Sequence, residues 1–326
     1  MRPIIPVARL RDIDAPRKRI TILSTDLALF AKGLAMGAAN VIPGVSGGTI
    51  ALITGIYERL IDAIRRFDLQ AIRLLLKRDL AGLWQHVDGR WLAVVLAGVA
   101  VSIFTLAKLF EFLLESHERF TMAFFFGLIL LSVVYVARGV KSWSGLTIAS
   151  LAVGTIIAVG IALLAPASEN ASPLYLFLCG VVAISSMILP GLSGSFVLII
   201  MGNYALVLGA ISTLSLGILI PLALGCAFGL IAFSHILALV FKRVPDQTLA
   251  LMTGFVLGSL VVIWPWKDAL TASVARGEGE PAKEIVTGYH WFLPDAAALE
   301  TWIAVALMLA GVAAIALMER VARQET

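Results

Sequence analysis

The sequence predicts an all-α polytopic membrane protein made of two inverted repeats, each a re-entrant helical hairpin plus three transmembrane helices. Three observations predict it. Of 326 residues, 60% are hydrophobic and 14% charged, whereas soluble globular domains run nearer 45–50% and about 25%. An unusual pentapeptide, Pro-Gly-x-Ser-Gly, interrupts apolar sequence twice, as Pro43-Gly44-Val45-Ser46-Gly47 and Pro190-Gly191-Leu192-Ser193-Gly194. Lys and Arg crowd into particular loops, as membrane orientation demands.

The two pentapeptides stand 147 residues apart, and the same spacing relates Gly55-Ile56-Tyr57 to Gly202-Asn203-Tyr204. Proline removes a backbone donor and glycine admits unusual dihedrals, so each cluster breaks a helix. Broken backbone survives at membrane depth only when buried in protein or lining a wet cavity. Paired interruptions at corresponding places in two halves point to a binding site.

In chain order, the first nineteen residues carry six Lys/Arg and three prolines, which reads as a retained cytoplasmic tail over residues 1–19. The single membrane domain then spans 20–326, with the first repeat over about 24–165. Ser24-Thr25-Asp26 reads as a helix N-cap. The apolar run from Leu27 to Ile42 covers only about 24 Å at 1.5 Å per residue, short of a bilayer core of about 30 Å. The run from Gly47 to Tyr57 is shorter still, and Arg59, Arg65, Arg66, Arg73, Lys77, Arg78 and Arg90 follow. Both flanks are basic, so this hairpin is expected to enter and leave from the cytoplasm, and residues 58–89 to form a basic amphipathic surface segment. Spans are expected at 91–113, 120–137 and 145–165.

Residues 166–173 lack Lys and Arg and are placed outside. The second repeat, about 174–320, opens with a hairpin at 174–206 entered from outside, then spans at 215–241, 248–265 and 300–318, with residues 267–299 as an extracytoplasmic loop. Nineteen of the 25 Lys/Arg then fall inside; Arg119, Lys267, Arg276 and Lys283 fall outside, and Lys32 and Lys108 fall within apolar segments. Both termini are cytoplasmic in this arrangement. A hairpin plus three spans crosses an odd number of times, which inverts the second copy. The spans align at an offset of 127, pairing Gly98 with Gly225, Gly127 with Gly254 and Lys108 with His235.

A helix that starts after a Pro-Gly turn has unpaired N–H groups and roughly half a positive charge at that end. Ser46, Gly47, Gly48, Thr49, Ser193, Gly194 and Ser195 leave backbone accessible and add hydroxyls suited to phosphate oxygens. The competing reading is that small residues only permit close helix packing, which is preferred for Gly33 and Gly37. Asn40 can bond a ligand or satisfy the broken backbone; its counterpart is the apolar Met187. Lys32, costly at the bilayer centre by about 2.5–3.5 kcal/mol, must pair, snorkel or face water, and is a candidate for a substrate or counter-ion role. Arg59 is a second source of full positive charge, and Glu58 beside it is either a solvated partner or a headgroup contact. Lys108 reads as pairing with Glu111, and His235 either relays protons or bonds a carbonyl.

Composition argues against nucleic acid as a partner, since the net charge of +4 is distributed by topology. Cys179 and Cys226 lie in apolar runs and read as packing residues, and neither a metal nor a cofactor is called for. An intramembrane serine protease is a minor alternative, because Gly44-Val45-Ser46-Gly47-Gly48 matches Gly-x-Ser-x-Gly, but a nucleophile needs a base within reach. A carrier of small anions is the other.

The stretch Gly37-Ala-Ala-Asn40-Val-Ile-Pro-Gly-Val-Ser-Gly-Gly-Thr49 with Ile56-Tyr-Glu-Arg59, and Leu189-Pro-Gly-Leu-Ser-Gly-Ser195 with Gly202-Asn-Tyr204, resembles the bacterial polyprenyl-phosphate (undecaprenyl-phosphate) transporter family. The resemblance implies a flippase, not an enzyme, that returns undecaprenyl phosphate from the outer to the inner leaflet of the cytoplasmic membrane for reuse in cell-wall (peptidoglycan) synthesis. A polyprenyl-phosphate lipid and the bilayer are then its partners. Coupling to protons or sodium is expected because moving a phosphate inward against a negative interior is uphill.

Overall fold

The computed structural model describes residues 14–41, 46–274 and 283–324. Among them the chain forms thirteen helices and one two-stranded sheet. In order these are α1 (Asp14–Val41), α2 (Gly47–Ile53), α3 (Tyr57–Arg65), α4 (Leu69–Leu76), α5 (Leu80–His86), α6 (Gly89–Arg138), α7 (Gly145–Ala162), α8 (Pro173–Ile188), α9 (Gly194–Ile200), α10 (Tyr204–Thr213), α11 (Leu216–Arg243) and α12 (Pro245–Ser259). Strands β1 (Lys267–Val274) and β2 (Lys283–Trp291) follow, then α13 (Leu299–Gln324). Five helical stretches are long and apolar enough to cross a membrane: Gly89–Leu106, Ser116–Arg138, Gly145–Ala162, Leu216–Arg243 and Leu299–Leu317. They become six if α9 and α10, bent at 115°, count as one broken span.

Three expectations change. The helix does not begin at Ser24-Thr25-Asp26, because α1 runs through them from Asp14, with Pro16 in its first turn where proline is tolerated. The Asp26 carboxylate instead accepts from the Arg90 guanidinium at 2.6 Å. The spans expected at 91–113 and 120–137 are present as Gly89–Leu106 and Ser116–Arg138. Between them α6 breaks at His117, whose backbone is non-helical (φ −142°, ψ 39°), and the Thr121 hydroxyl donates to the carbonyls of Leu113 and His117 at 3.2 and 3.0 Å. No Gly or Pro marks that break, and a side chain satisfies the acceptors it exposes.

Helix α12 stops at Ser259, earlier than expected, in a tight turn where Val261 N–H and Val262 N–H donate to the Gly258 and Ser259 carbonyls. Pro265 follows and cannot extend a helix. The loop expected at 267–299 contains an antiparallel ribbon pairing Lys267 with Trp291 and Val274 with Lys283, so the class is helical with a small β appendage. Its second strand, Lys283-Glu-Ile-Val-Thr-Gly-Tyr-His-Trp291, is rich in β-branched and aromatic residues.

Glycines set the helix packing. A Cβ on Gly33 of α1 would lie 2.4 Å from the Val95 carbonyl oxygen of α6, and one on Gly98 2.4 Å from that of Phe30. Helices α8 and α11 meet in the same way: a Cβ on Gly180 would lie 2.2 Å from the Leu222 oxygen, and one on Gly225 2.0 Å from that of Phe177. The second half of α6 packs on α13 through Gly127 and Gly311, and α12 packs on α7 through Gly254 and Gly154. Each contact is closer than any side chain allows, so backbones touch.

Short helices α3 to α5 fill the basic segment at 58–89. Asp68 caps α4, accepting from the Gln70 and Ala71 N–H groups at 2.9 and 3.0 Å, and faces His86 of α5 at 3.1 Å. The Ala71 N–H, together with that imidazole, holds the Asp68 carboxyl below its usual range. Leu69, Ile72, Leu75, Leu76, Leu80 and Trp84 remain exposed between Arg73, Lys77 and Arg78, the pattern of a segment lying in an interface.

Candidate functional site

The two motif loops interlock. After α1, residues 42–45, including Pro43 and Gly44, lie outside the described residues. At Ser46 the backbone is extended (φ −116°, ψ 129°), and α2 starts. The Asn40 side-chain oxygen accepts from the Gly47 N–H at 2.9 Å, and the Ser46 hydroxyl oxygen accepts from the Gly48 N–H at 3.2 Å. Asn40 thus serves the broken backbone. In the second copy Ser193 has nearly the same backbone (φ −111°, ψ 125°) and precedes a helix of the same length, seven residues, yet no side chain caps it. Met187 stands where Asn40 stands and offers no acceptor of that kind.

Three hydrogen bonds tie the first copy to the second. Thr49 Oγ1 accepts from the Gly191 N–H at 2.9 Å, the Ser46 hydroxyl donates to the Leu189 carbonyl at 3.4 Å, and the Tyr57 hydroxyl donates to the Ile188 carbonyl at 2.8 Å. Ser46, Thr49 and Tyr57 are buried. In two of these bonds the acceptors are the Ile188 and Leu189 carbonyls at the end of α8, and in the third Thr49 takes the Gly191 N–H of the turn that follows, so one motif completes the other's broken helix. Gly191 makes the turn at φ +83°, and a Cβ there would strike the Phe255 backbone at 2.6 Å.

The expected set of four open hydroxyls therefore divides. Ser46 and Thr49 face inward and hold the loops together. Ser193 and Ser195 share a 2.9 Å hydrogen bond; Ser195 is exposed and Ser193 half-buried. Ser193 lines a small pocket with Leu192, Phe196, Ser259 and Val262. Gly47, Gly48 and Gly194 are buried. A Cβ on Gly48 would lie 3.0 Å from the Ile188 oxygen and one on Gly194 2.6 Å from that of Ala183, so these glycines serve close packing in this conformation.

The charged candidates lie apart from this contact. The Lys32 ammonium donates to the Thr54 carbonyl at 3.0 Å, the C-terminal end of α2, where a cation is favourable. On α8, the Tyr175 hydroxyl makes the corresponding bond to Met201 at the end of α9, at 2.9 Å. Arg59 is held by Asp88 at 2.8 Å and lies over the Trp91 ring, 5.1 Å from its centre, while Glu58 is exposed beside it. His235 is exposed on α11, and its Nδ1–H donates to the Ile231 carbonyl of its own helix at 2.8 Å. That is the carbonyl bond of the two uses read for it. Among the described residues no histidine is bonded to Ser46, whose hydroxyl already serves two backbone groups; a protease nucleophile has no base here. The Lys108 side chain lies outside the described residues.

In the sequence Tyr57 and Asn203 stand out only as repeat markers. Asn203 is fully buried and pins the α7–α8 connection, donating to the Asn170 carbonyl at 2.8 Å and accepting from its N–H at 2.9 Å. The signal was present: a polar residue kept in an apolar run beside a helix-breaking glycine needs partners.

A family model described as undecaprenyl phosphate translocase-like matches residues 36–280. A Vibrio cholerae serotype O1 protein named polyprenyl-phosphate transporter is 42% identical over 300 residues, covering 91% of this chain and 97% of the relative. A Staphylococcus aureus protein of the same name is 33% identical over 263 residues, covering 72% and 84%. No solved structure matches.

Proposed function

This chain belongs to the undecaprenyl phosphate translocase-like family, multi-pass membrane transporters rather than enzymes, and on that premise we propose that it carries undecaprenyl phosphate from the outer to the inner leaflet of the bacterial cytoplasmic membrane. The observation that carries the reading is the interlock of the two Pro-Gly-x-Ser-Gly loops through Thr49, Ser46 and Tyr57. Two discontinuous helical segments meeting tip to tip are how carriers build a polar site inside hydrocarbon.

The architecture we infer is a pair of inverted repeats in one domain, with both termini cytoplasmic. Reciprocal packing supports it. The second span of the first repeat, in α6, packs on the third span of the second repeat, α13; the second span of the second repeat, α12, packs on the third of the first, α7. An internal two-fold axis requires such an exchange. Gly33 and Gly180 share the motif offset of 147, and Gly98 and Gly225 the span offset of 127, so the α1–α6 and α8–α11 contacts correspond residue by residue.

Within this frame the phosphate is received by Ser193 and Ser195, the hydroxyls not committed to the interlock, with Gly194 between them. Asn40, Ser46, Gly47, Gly48 and Thr49 shape the floor. Lys32 and Arg59 supply positive charge along the path once the phosphate displaces their present partners. A phosphate monoester carries about −1.5 to −2 charges. Moving it inward against a negative interior costs roughly 3.5–4.6 kcal/mol per 100 mV. Co-transport of protons or sodium offsets that cost.

The test is uptake of labelled polyprenyl phosphate into sealed vesicles containing only this protein. Transport accelerated by an inward proton or sodium gradient supports the reading; equal rates under every gradient and voltage remove the coupling. Uptake of free phosphate with none of the lipid would instead make this a small-anion carrier.

A further inference from the structure

An apolar groove of about 550 Å³ opens at the end of the bundle that carries the β ribbon. Its volume is in the range of small-molecule sites, about 300–1,000 Å³. Phe126 of α6, Leu260, Val261 and Trp264 after α12, and Trp291 and Phe292 of the ribbon line it, with Leu293 exposed at the mouth. Its two indole donors are already used: the Trp264 N–H donates to the Phe292 carbonyl at 3.2 Å and the Trp291 N–H to that of Val261 at 3.1 Å. Phe126 meets the Trp264 ring edge-on at 5.4 Å. What faces the groove is therefore hydrocarbon and ring surface, which suits an unsaturated hydrocarbon chain and offers little to a polar ligand.

Two cations pack on the segments next to its lining. The Lys267 ammonium lies over the Tyr289 ring, 4.4 Å from its centre, and donates to the Val262 carbonyl. The Arg119 guanidinium lies 6.0 Å from the centre of the Phe292 ring and pairs with Glu300 at 3.0 Å. The turn that follows α12 is a shared wall: Val261 lines the groove, whereas Ser259 and Val262 line the pocket of Ser193. A hydrocarbon-lined groove, a cation bonded to the shared turn at Val262 and a hydroxyl pair across that turn match an amphiphile whose apolar chain ends in an anion.

We propose that this groove seats the isoprenoid units adjoining the phosphate of the incoming lipid, and that Lys267 draws the headgroup across the turn at residues 259–262 toward Ser193 and Ser195. The proposal rests on the reading that the substrate is a polyprenyl phosphate. Lys267 acts on the headgroup by charge, so arginine replaces it and glutamine does not.

The experiment uses the full chain in nanodiscs with geranylgeranyl phosphate bearing a benzophenone on the isoprene unit next to the phosphate. Saturable labelling is expected on residues 260–264 or 291–293, competed by unlabelled geranylgeranyl phosphate and not by geranylgeraniol. Val261→Phe, which fills the groove, is expected to lower affinity by about tenfold or more, the scale of one steric or apolar mismatch in a binding pocket. Lys267→Gln is expected to weaken labelling and Lys267→Arg to keep it. If Val261→Phe fails gel filtration, Trp291→Leu serves in its place.

Saturable labelling confined to other helices, unchanged affinity in the folded groove variants, or equal labelling by a phosphatidylglycerol with the same photophore overturns the groove while leaving the substrate reading intact. Absence of saturable labelling together with absence of lipid uptake by the wild type overturns both.

Discussion

Thr49 joins the two halves of this molecule with one hydroxyl, and its replacement is the sharpest test of the interlock. Thr49→Val keeps the shape but leaves the buried Gly191 N–H without its acceptor, a loss of about 1–3 kcal/mol. A lower thermal midpoint in detergent is expected, and Thr49→Ser should recover most of it. Ser195 is the contrast, being exposed and bonded to Ser193. Ser195→Ala should shift stability by no more than about 0.5 kcal/mol, while lipid uptake falls. Lys267 adds a pH dependence. Burial brings its ammonium down to about 8, with Glu118 opposing and the Tyr289 ring packed against it. The ammonium is charged below that value and neutral above it, so headgroup affinity should fall as pH rises through about 8. Lys267→Arg, charged throughout, should abolish the fall. Stability runs the other way: the buried charge opposes folding below about 8, and that penalty is relieved as pH rises toward 10.5.

At the scale of elements, the glycine contacts divide the helices into two kinds of pair, one within each half and one exchanged between halves. A Cβ at Gly127 would meet the Met308 oxygen at 1.9 Å and one at Gly254 the Leu151 oxygen at 2.2 Å. Neither neighbour is a flexible side-chain tip, so helices must separate. Gly127→Ala and Gly254→Ala are each expected to destabilise by about 1–3 kcal/mol, the range for overpacking, and by similar amounts because the sites correspond. Unfolding in detergent measures both; a large loss at one and none at the other counts against the two-fold relation. The seven-residue helices α2 and α9 were legible because Pro-Gly on one side and Gly-x-Tyr on the other bracket each. The break within α6 was legible as well, because Glu115-Ser-His-Glu-Arg119 has the composition of a loop between two apolar runs. Its local form was not: that the freed carbonyls of Leu113 and His117 are taken by the Thr121 hydroxyl depends on the fold.

For the whole molecule, the proposed inverted repeats assign sides. In a cysteine-free background, a cysteine at Ser144, beside the α12 N-terminus, should react with an impermeant maleimide only from the cytoplasm, and one at Ser168 only from outside. Labelling of both from one side would remove the inverted topology. Charge gives the second consequence. Inward movement of a phosphate bearing about −1.5 to −2 charges should be slowed by an inside-negative voltage applied alone, and the slowing reversed by the coupling cation.

Hydropathy and the duplicated pentapeptide determined the membrane class and the position of both helix breaks. These follow from local chemistry, since apolar length, proline and glycine act on their own segment of chain. Which groups remain open to a ligand was decided only by the tertiary structure. Ser46, Thr49, Ser193 and Ser195 are near-equivalents in sequence, yet the first pair is spent joining the loops and the second is not, because the carbonyls left by α8 lie against the first motif. Lys32 is turned to the end of α2 and Arg59 to Asp88 by partners 22 and 29 residues away in the chain. The aromatic groove gathers Phe126, Trp264 and Trp291 from three distant segments, and no periodicity within any one of them records that they meet.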